Sequence, residues 1–312
     1  MNKKKLSEFF GAKDSFFLVN GSTGGIFTML ASALKAGDRV LVSRNCHISV
    51  INACSMLGYI PIFINQEVLP EFNLTAGIDL KKIEELIIKY APKALLITSP
   101  NYFGICCDIE NIAKISHKYN IPLLVDEAHG AHFSVSDKLF PQSAVRLGAD
   151  LVVQSAHKTL NAVNQTAFLH YNSKIIHYDR VKKVYSSFQT SSPSYVLCSS
   201  AEEAVTELVC DGFGKWSKVL EYTNDLKNKL KDLFLVLDYD YVGKSNIFDL
   251  DKTRIVINFK EYDVTGFEIS QKLRKEYNID IEMADLYNIV LIPTPANKKS
   301  DFDLLYKAIS ER

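Results

Sequence analysis

Two short stretches carry residue types that could do covalent chemistry together. Ser155-Ala156-His157-Lys158 follows the apolar run Leu151-Val152-Val153-Gln154, and Asp126-Glu127-Ala128-His129 follows Ile121 to Val125. A lysine just past a buried strand, preceded by a hydroxyl and an imidazole, suits a Schiff base with an aldehyde cofactor. Burial and nearby cationic or imidazole groups favour the neutral amine that attacks an aldehyde. An aspartate at the end of the preceding strand suits that cofactor's ring nitrogen, keeping it protonated and the ring an electron sink. A lysine Schiff base and an acidic partner for a pyridinium are what proteins contribute to pyridoxal phosphate (PLP).

Three further groups fit such a site, each with a structural alternative. Asn20-Gly21-Ser22-Thr23-Gly24-Gly25 lies between apolar Phe16 to Val19 and a helical run, Ile26 to Leu34. Hydroxyls and free N–H groups at a helix N-terminus make an anion site, and the glycines let a phosphate approach; the competing reading is a turn and helix cap. The stretch lacks GxxxxGK[ST] and so is no nucleotide P-loop. His47, in Asn45-Cys46-His47, follows Val40 to Val42; a flat imidazole suits stacking on a cofactor ring, and a hydrogen-bonded structural histidine is the alternative. Asp126 could instead cap a helix. Asp126, His129 and His132 are also metal-ligand types, but without a supporting ligand cluster elsewhere no metal is expected. Leu124 to His129 also spells the acidic motif of a helicase-type ATPase. That reading needs a phosphate-loop lysine, and none follows Gly24 or Gly25.

The elements that must position these residues alternate. Val40–Val42, Tyr59–Ile64, Ala94–Thr98, Ile121–Val125 and Leu151–Val153 read as buried strands, with helices at Ile48–Leu57, Asp79–Tyr90 and Asp108–Tyr119 between them. In the last, Ile109, Ile112, Ala113 and Ile115 keep a helical period. This α/β alternation predicts a three-layer domain with a mostly parallel sheet, and ligands there bind beyond the strands' carboxyl ends. Gln189 to Ser194 is a polar break, which predicts a large domain over 1–190 and a smaller α+β domain over 191–312. The latter reads as helix from Tyr195 to about Leu233, strand at Arg254–Phe259, helix at Thr265–Tyr277, strands at Ile279–Ile281 and Ile289–Ile292, and a terminal helix at Asp301–Ile309.

Composition excludes several classes. Lys+Arg and Asp+Glu balance at 36 each, leaving no net attraction toward nucleic acid or anionic membrane. No stretch reaches the roughly 18 apolar residues of a membrane span, and the Lys3-Lys4-Lys5 start is followed by no signal-peptide core. The six cysteines have no CxxC spacing and read as reduced thiols. The expectation is a cytoplasmic protein acting on a small molecule.

Across most of its length the chain resembles the major, PLP-binding domain of the bacterial ornithine/lysine/arginine decarboxylases, of PLP fold type I (the aspartate aminotransferase fold). The resemblance runs through Phe17 to Thr23, Arg44 to His47, Asn101 to Cys106, Leu124 to Phe133, Gln154 to Leu160, Gln189 to Tyr195 and Ile281 to Asp285. It implies that Lys158 binds the cofactor covalently and Asp126 pairs with its pyridinium. His47 stacks on one ring face and Ala128 packs on the other, with His129 beside them. Ser22, Thr23, Gly24, Ser155 and His157 hold the phosphate region. The implied site lies at a homodimer interface, where Thr190 or Ser191 reaches the neighbouring subunit's cofactor.

The implied activity is decarboxylation of arginine, lysine or ornithine, with His129, His157 or Lys158 as proton donor. An aminotransferase uses the same cofactor residues. Glu282 and Asp285 take structural places or lie near the substrate mouth. The family's usual extra N-terminal segment and C-terminal domain are not in this sequence, and Ile48 stands where lysine is common. These departures set a second expectation: a shortened PLP-binding protein, inactive or completed by a separate chain.

Overall fold

The computed structural model describes residues 3–311. Its main sheet has seven strands in the spatial order Asp14–Leu18, Ala167–Tyr171, Leu151–Ser155, Leu123–Asp126, Ala94–Thr98, Arg39–Ser43, Ile60–Ile64. The last five are parallel neighbours; Ala167–Tyr171 alone runs against the rest. Successive residues alternate between faces, so the apolar runs feed two cores. Val40, Val42, Leu96, Leu124 and Val153 face the helices Gly21–Ala33 and Ile48–Leu57. Leu41, Leu95, Ile97, Val125 and Val152 face the helices Leu80–Tyr90 and Ile109–Lys118.

Local chemistry sets the helix boundaries. Asp79 and Asp108 cap their helices through side-chain bonds to Lys81 N and Asn111 N. Gly58, in the left-handed conformation, ends the Ile48–Leu57 helix. The predicted strand at Leu151–Val153 extends to Ser155, and the one at Ile121–Val125 spans Leu123–Asp126. Both site aspartate and site serine therefore end their strands.

A second, four-stranded antiparallel sheet is ordered Leu235–Val236, Ile255–Asn258, Asn288–Leu291, Met283–Ala284. The predicted strand at Ile279–Ile281 does not form. Asn278 takes a left-handed cap after the Gly266–Tyr277 helix, and Ile279 and Ile281 pack into the core as coil before pairing begins at Met283.

One helix, Tyr195–Lys231, joins the two regions. Ala204, Leu208 and Trp216 pack with Phe133, Phe140 and Phe168 beside the large sheet, whereas Leu226 and Leu230 join the second sheet's core. Packing thus passes from one core to the other inside this helix. Ile105–Cys106 pairs with Asp249–Leu250, tying the second region to the first. Among the described residues no helix is long and apolar enough to cross a membrane.

Candidate active site

The parallel strands deliver their carboxyl ends to one edge of the sheet, and a cavity of about 420 Å³ opens there. Ser22, His47, Thr98, Asn101, Tyr102, Asp126, Ala128, His129, Lys158 and Met283 are among its lining. Residues from the first half of the sequence and from the second sheet's edge strand thus meet in one place. A second cavity, about 520 Å³, lies among Ile279, Leu291, Phe302 and Leu305 of the C-terminal core; no amine, imidazole or thiol lines it.

Asp126 ends its strand almost wholly buried, and its Oδ1 accepts the Ala128 N–H at 3.2 Å. Burial pushes its carboxyl upward; the charges of Lys158 and His47 and the Ala128 N–H oppose that. A buried carboxylate with so little compensation calls for a cationic hydrogen-bond partner. Lys158 stands in the short Ala156–Thr159 helix, its Nζ 3.1 Å from His129 Nε2. Desolvation lowers its pKa, Asp126 and Glu282 oppose that, and Arg254 adds to it. His129 is buried, and desolvation, Arg254 and Lys158 hold its pKa well below the ordinary value, so its imidazole is neutral. Its ring centroid lies 4.8 Å from that of Tyr102.

The helix beginning at Gly21 has Asn20 at its N-cap, which makes no side-chain cap bond. Of its first-turn N–H groups, that of Gly21 donates to the Gln165 carbonyl at 2.8 Å, and Ser22 and Thr23 present theirs at the helix N-terminus. Gly25 brings this helix against the strands: a Cβ there would come within 2.4 Å of Val153 Cγ2 and 2.8 Å of Leu18 Cδ1. Thr23, Gly24, Ser155 and His157 are not among the cavity-lining residues. Thr23 is exposed and Gly24 buried in that helix; Ser155 ends its strand, and its buried Oγ has no hydrogen-bond partner. His157 Nδ1 donates to the Thr166 carbonyl at 2.8 Å, which fixes the ring. His47 makes the structural bond weighed for it, its Nδ1 accepting the Ser49 N–H to cap the Ile48–Leu57 helix, and it also lines the cavity. Thr190 and Ser191 are exposed and do not line this chain's own cavity.

Some members were not legible in the sequence. Tyr102, which lines the cavity, donates its Oη to Glu282 Oε1 at 2.9 Å across 180 residues, linking the large sheet's loop to the second sheet. Burial and Glu282 push the Tyr102 hydroxyl to about 12, so it stays a donor. Thr98 Oγ1 is buried without a partner, beside Asp126 in the register. The signal that could have found Thr98 and Tyr102 is their place at and just after a strand's carboxyl end. Among the described residues no group of three or more His, Cys, Asp or Glu side chains could hold a metal. His132 instead stacks on Trp216 at 4.5 Å and faces Asp251 at 3.2 Å.

The residues present fit PLP. The buried Asp126 carboxylate suits a pyridinium, the orphan Ser155 hydroxyl and the uncapped helix suit a phosphate, and Lys158 offers an amine inside the cavity.

This strand order and cavity define a PLP fold-type-I protein, and solved structures share the fold. The lysine decarboxylase of Francisella novicida superposes with a TM-score of 0.84 at 21% identity, over 99% of this chain and 50% of that one. An alanine–glyoxylate aminotransferase from Nostoc sp. gives 0.78 at 14% identity, over 99% and 84%. The family model described as "Orn/Lys/Arg decarboxylase, major domain" matches residues 2–265, and the chain belongs to that family. The arginine decarboxylase of Bacillus subtilis is 33% identical over 308 residues, 98% of this chain and 63% of that protein. That of Bacillus cereus is 34% identical over 309 residues, 97% and 66%. The chain therefore spans less than two thirds of the length of these curated relatives.

Proposed function

We propose that the protein decarboxylates a basic amino acid, arginine foremost, with PLP held by Lys158. The observation that carries this reading is the single cavity in which the Lys158 amine, the neutral His129 and the buried Asp126 meet. The names of its relatives, arginine and lysine decarboxylases, support the substrate class.

Bound PLP supplies an electron sink for the pair left when a bond at the substrate's Cα breaks. The chain's own residues do the rest. Asp126 provides a fixed negative charge for the ring nitrogen. Ala128 and His47, which line the cavity, would pack against the ring. Ser155, Ser22, Thr23 and the N–H groups of Ser22 and Thr23 would hold the phosphate, with Gly24 and His157 shaping that region. Lys158 Nζ and His129 Nε2, 3.1 Å apart, can pass a proton between them and present it at the cavity. Glu282, already accepting the Tyr102 hydroxyl, offers its carboxylate to the substrate's distal cation.

A homodimer with shared sites, with Thr190 or Ser191 contributed across the interface, is part of this proposal. The exposure of those residues, beside Tyr195 and Val196 at 87% and 71%, supports it. So is a cytoplasmic location. A PLP-binding chain that is inactive, or acts together with a second chain, is the competing reading.

Release of labelled CO2 from carboxyl-labelled arginine, lysine and ornithine separates these readings. Release that disappears in Lys158→Ala is expected. Cofactor binding without release supports the inactive reading, and keto-acid formation without CO2 an aminotransferase.

A further inference from the structure

The cavity of about 520 Å³ in the C-terminal region is an open groove with an apolar floor. Ile255 and Leu291 are register partners in the second sheet, and Phe302 and Leu305 stand on the Lys299–Ser310 helix. These four buried residues line the groove. Its acidic groups come from two separate stretches. Residues 278–282 run as coil where the sequence predicts a strand at Ile279–Ile281, and they bring Asp280 and Glu282. The first turn of the terminal helix brings Asp301. Among the described residues no lysine, arginine or histidine lines the groove.

The three carboxylates keep room for a ligand. Asp280 Oδ1 meets Arg274 Nε at 3.1 Å, but the two side chains are 76% and 75% exposed, and such a pair adds little. Asp301 Oδ2 accepts the Lys298 N–H at 2.9 Å as a helix cap, with Asn297 Nδ2 at 3.4 Å. Glu282 Oε1 accepts the Tyr102 hydroxyl at 2.9 Å. An ionised carboxylate has about four lone-pair sites, so these bonds leave each with capacity.

A hydrocarbon floor between carboxylates from two stretches fits a ligand with a hydrocarbon body and a cation at each end. A ligand with a carboxylate of its own meets like charge there. We propose that the groove is a second binding site, which takes an aliphatic oligoamine and rejects the amino acid from which such an amine derives. Loss of its carboxylate as CO2 turns a basic amino acid into a chain with cations at both ends, so the groove selects product over substrate. Binding stands on the groove alone, and the identity of the amine as product rests on the decarboxylase reading. Glu282 belongs to this groove and also bonds Tyr102 of the active cavity. An amine in the groove therefore draws on the carboxylate assigned above to the substrate's distal cation, and product opposes substrate through one shared side chain.

The test is calorimetric titration of the full chain, free of cofactor because the aldehyde would react with either probe. Its failure is thereby separate from failure of the decarboxylase reading. The probes are diaminopentane and lysine, which differ only by the carboxylate. Diaminopentane should bind saturably and about tenfold tighter than lysine, with an affinity that falls as salt rises. Asp280→Asn combined with Asp301→Asn should weaken it about tenfold, and neither residue lines the active cavity. Glu282→Gln should weaken it as well. Melting curves show which variants fold, and Asp280→Lys, at an exposed position, replaces the double variant if the lost helix cap unfolds it. No saturation at millimolar diaminopentane overturns the site. So does equal affinity for lysine, or an affinity that the Asp280 and Asp301 changes leave intact. Unchanged affinity in Glu282→Gln overturns the shared side chain.

Discussion

Lys158 Nζ and His129 Nε2 lie 3.1 Å apart in a cavity that the buried Asp126 also lines. Burial lowers the lysine's pKa and holds the histidine's well below its ordinary value, which favours the uncharged form of each. His129→Asn keeps a polar side chain and removes the titrating ring. Its kcat should fall by about 10²–10⁴-fold, while the visible absorbance of bound cofactor persists. Steady-state kinetics beside a spectrum of the same sample measures both.

Glu282 accepts the hydrogen bond of Tyr102, a residue of the cavity wall. With a cationic substrate, Glu282→Gln should raise KM about tenfold, the ~1.5 kcal/mol of one charge-assisted bond, with a smaller change in kcat. Tyr102→Phe should do less, because the carboxylate remains. Equal KM values for Glu282→Gln and wild type on arginine, lysine and ornithine would remove the carboxylate from substrate recognition.

Gly25 shows how the helix reaches the site. A methyl group there would overlap Val153 and Leu18, so Gly25→Ala should cost about 1–3 kcal/mol of stability as overpacking does. It should also weaken cofactor binding by tilting the helix N-terminus off the strand ends. A thermal melt and a cofactor titration on the same variant measure the two effects.

Behind the cavity, His170 Nε2 and Gln154 Oε1 are 3.1 Å apart, and Gln154 Nε2 donates to Glu127 Oε2 at 2.5 Å. Burial lowers His170 to about 3 and raises Glu127 to about 7. The signs oppose. Below about pH 6.5 the unfolded chain protonates His170 and the folded one does not, so this group loses stability as pH falls. Glu127 holds its proton in the folded state up to about 7, so stability rises as pH falls from 7 to its unfolded value of about 4.5. Between about pH 4.5 and 6.5 the two slopes, each ~1.4 kcal/mol per pH unit, cancel. His170→Asn should expose a stability that grows on acidification, and Glu127→Gln one that shrinks. Urea unfolding at several pH values gives the slopes, which are independent of any overall loss of stability; parallel pH profiles for the two variants would contradict the balance.

The parts of the fold legible in the sequence were those with local signals. Val40–Val42, Ala94–Thr98 and Leu151–Val153 are unbroken apolar runs because parallel strands are covered on both faces. The strand Ala167–Tyr171 was missed: it is short, holds His170, and follows the polar stretch Asn161 to Thr166. Its burial comes from packing against Phe10 and Phe17 and from Gln154 meeting the imidazole. In the site, Asp126, Lys158 and His47 were legible because each follows an apolar strand, and the family resemblance gave them roles. The Tyr102–Glu282 bond and the Arg254–Asp251–His132 cluster were not, since their members meet only when the second sheet docks.

The most direct test of the central claim is borohydride reduction of the protein mixed with PLP, followed by peptide mapping. The account predicts stable attachment of the cofactor at Lys158, with Asp126→Asn weakening it and Lys158→Ala abolishing it. Attachment at another lysine, or none with the wild-type chain, would contradict it.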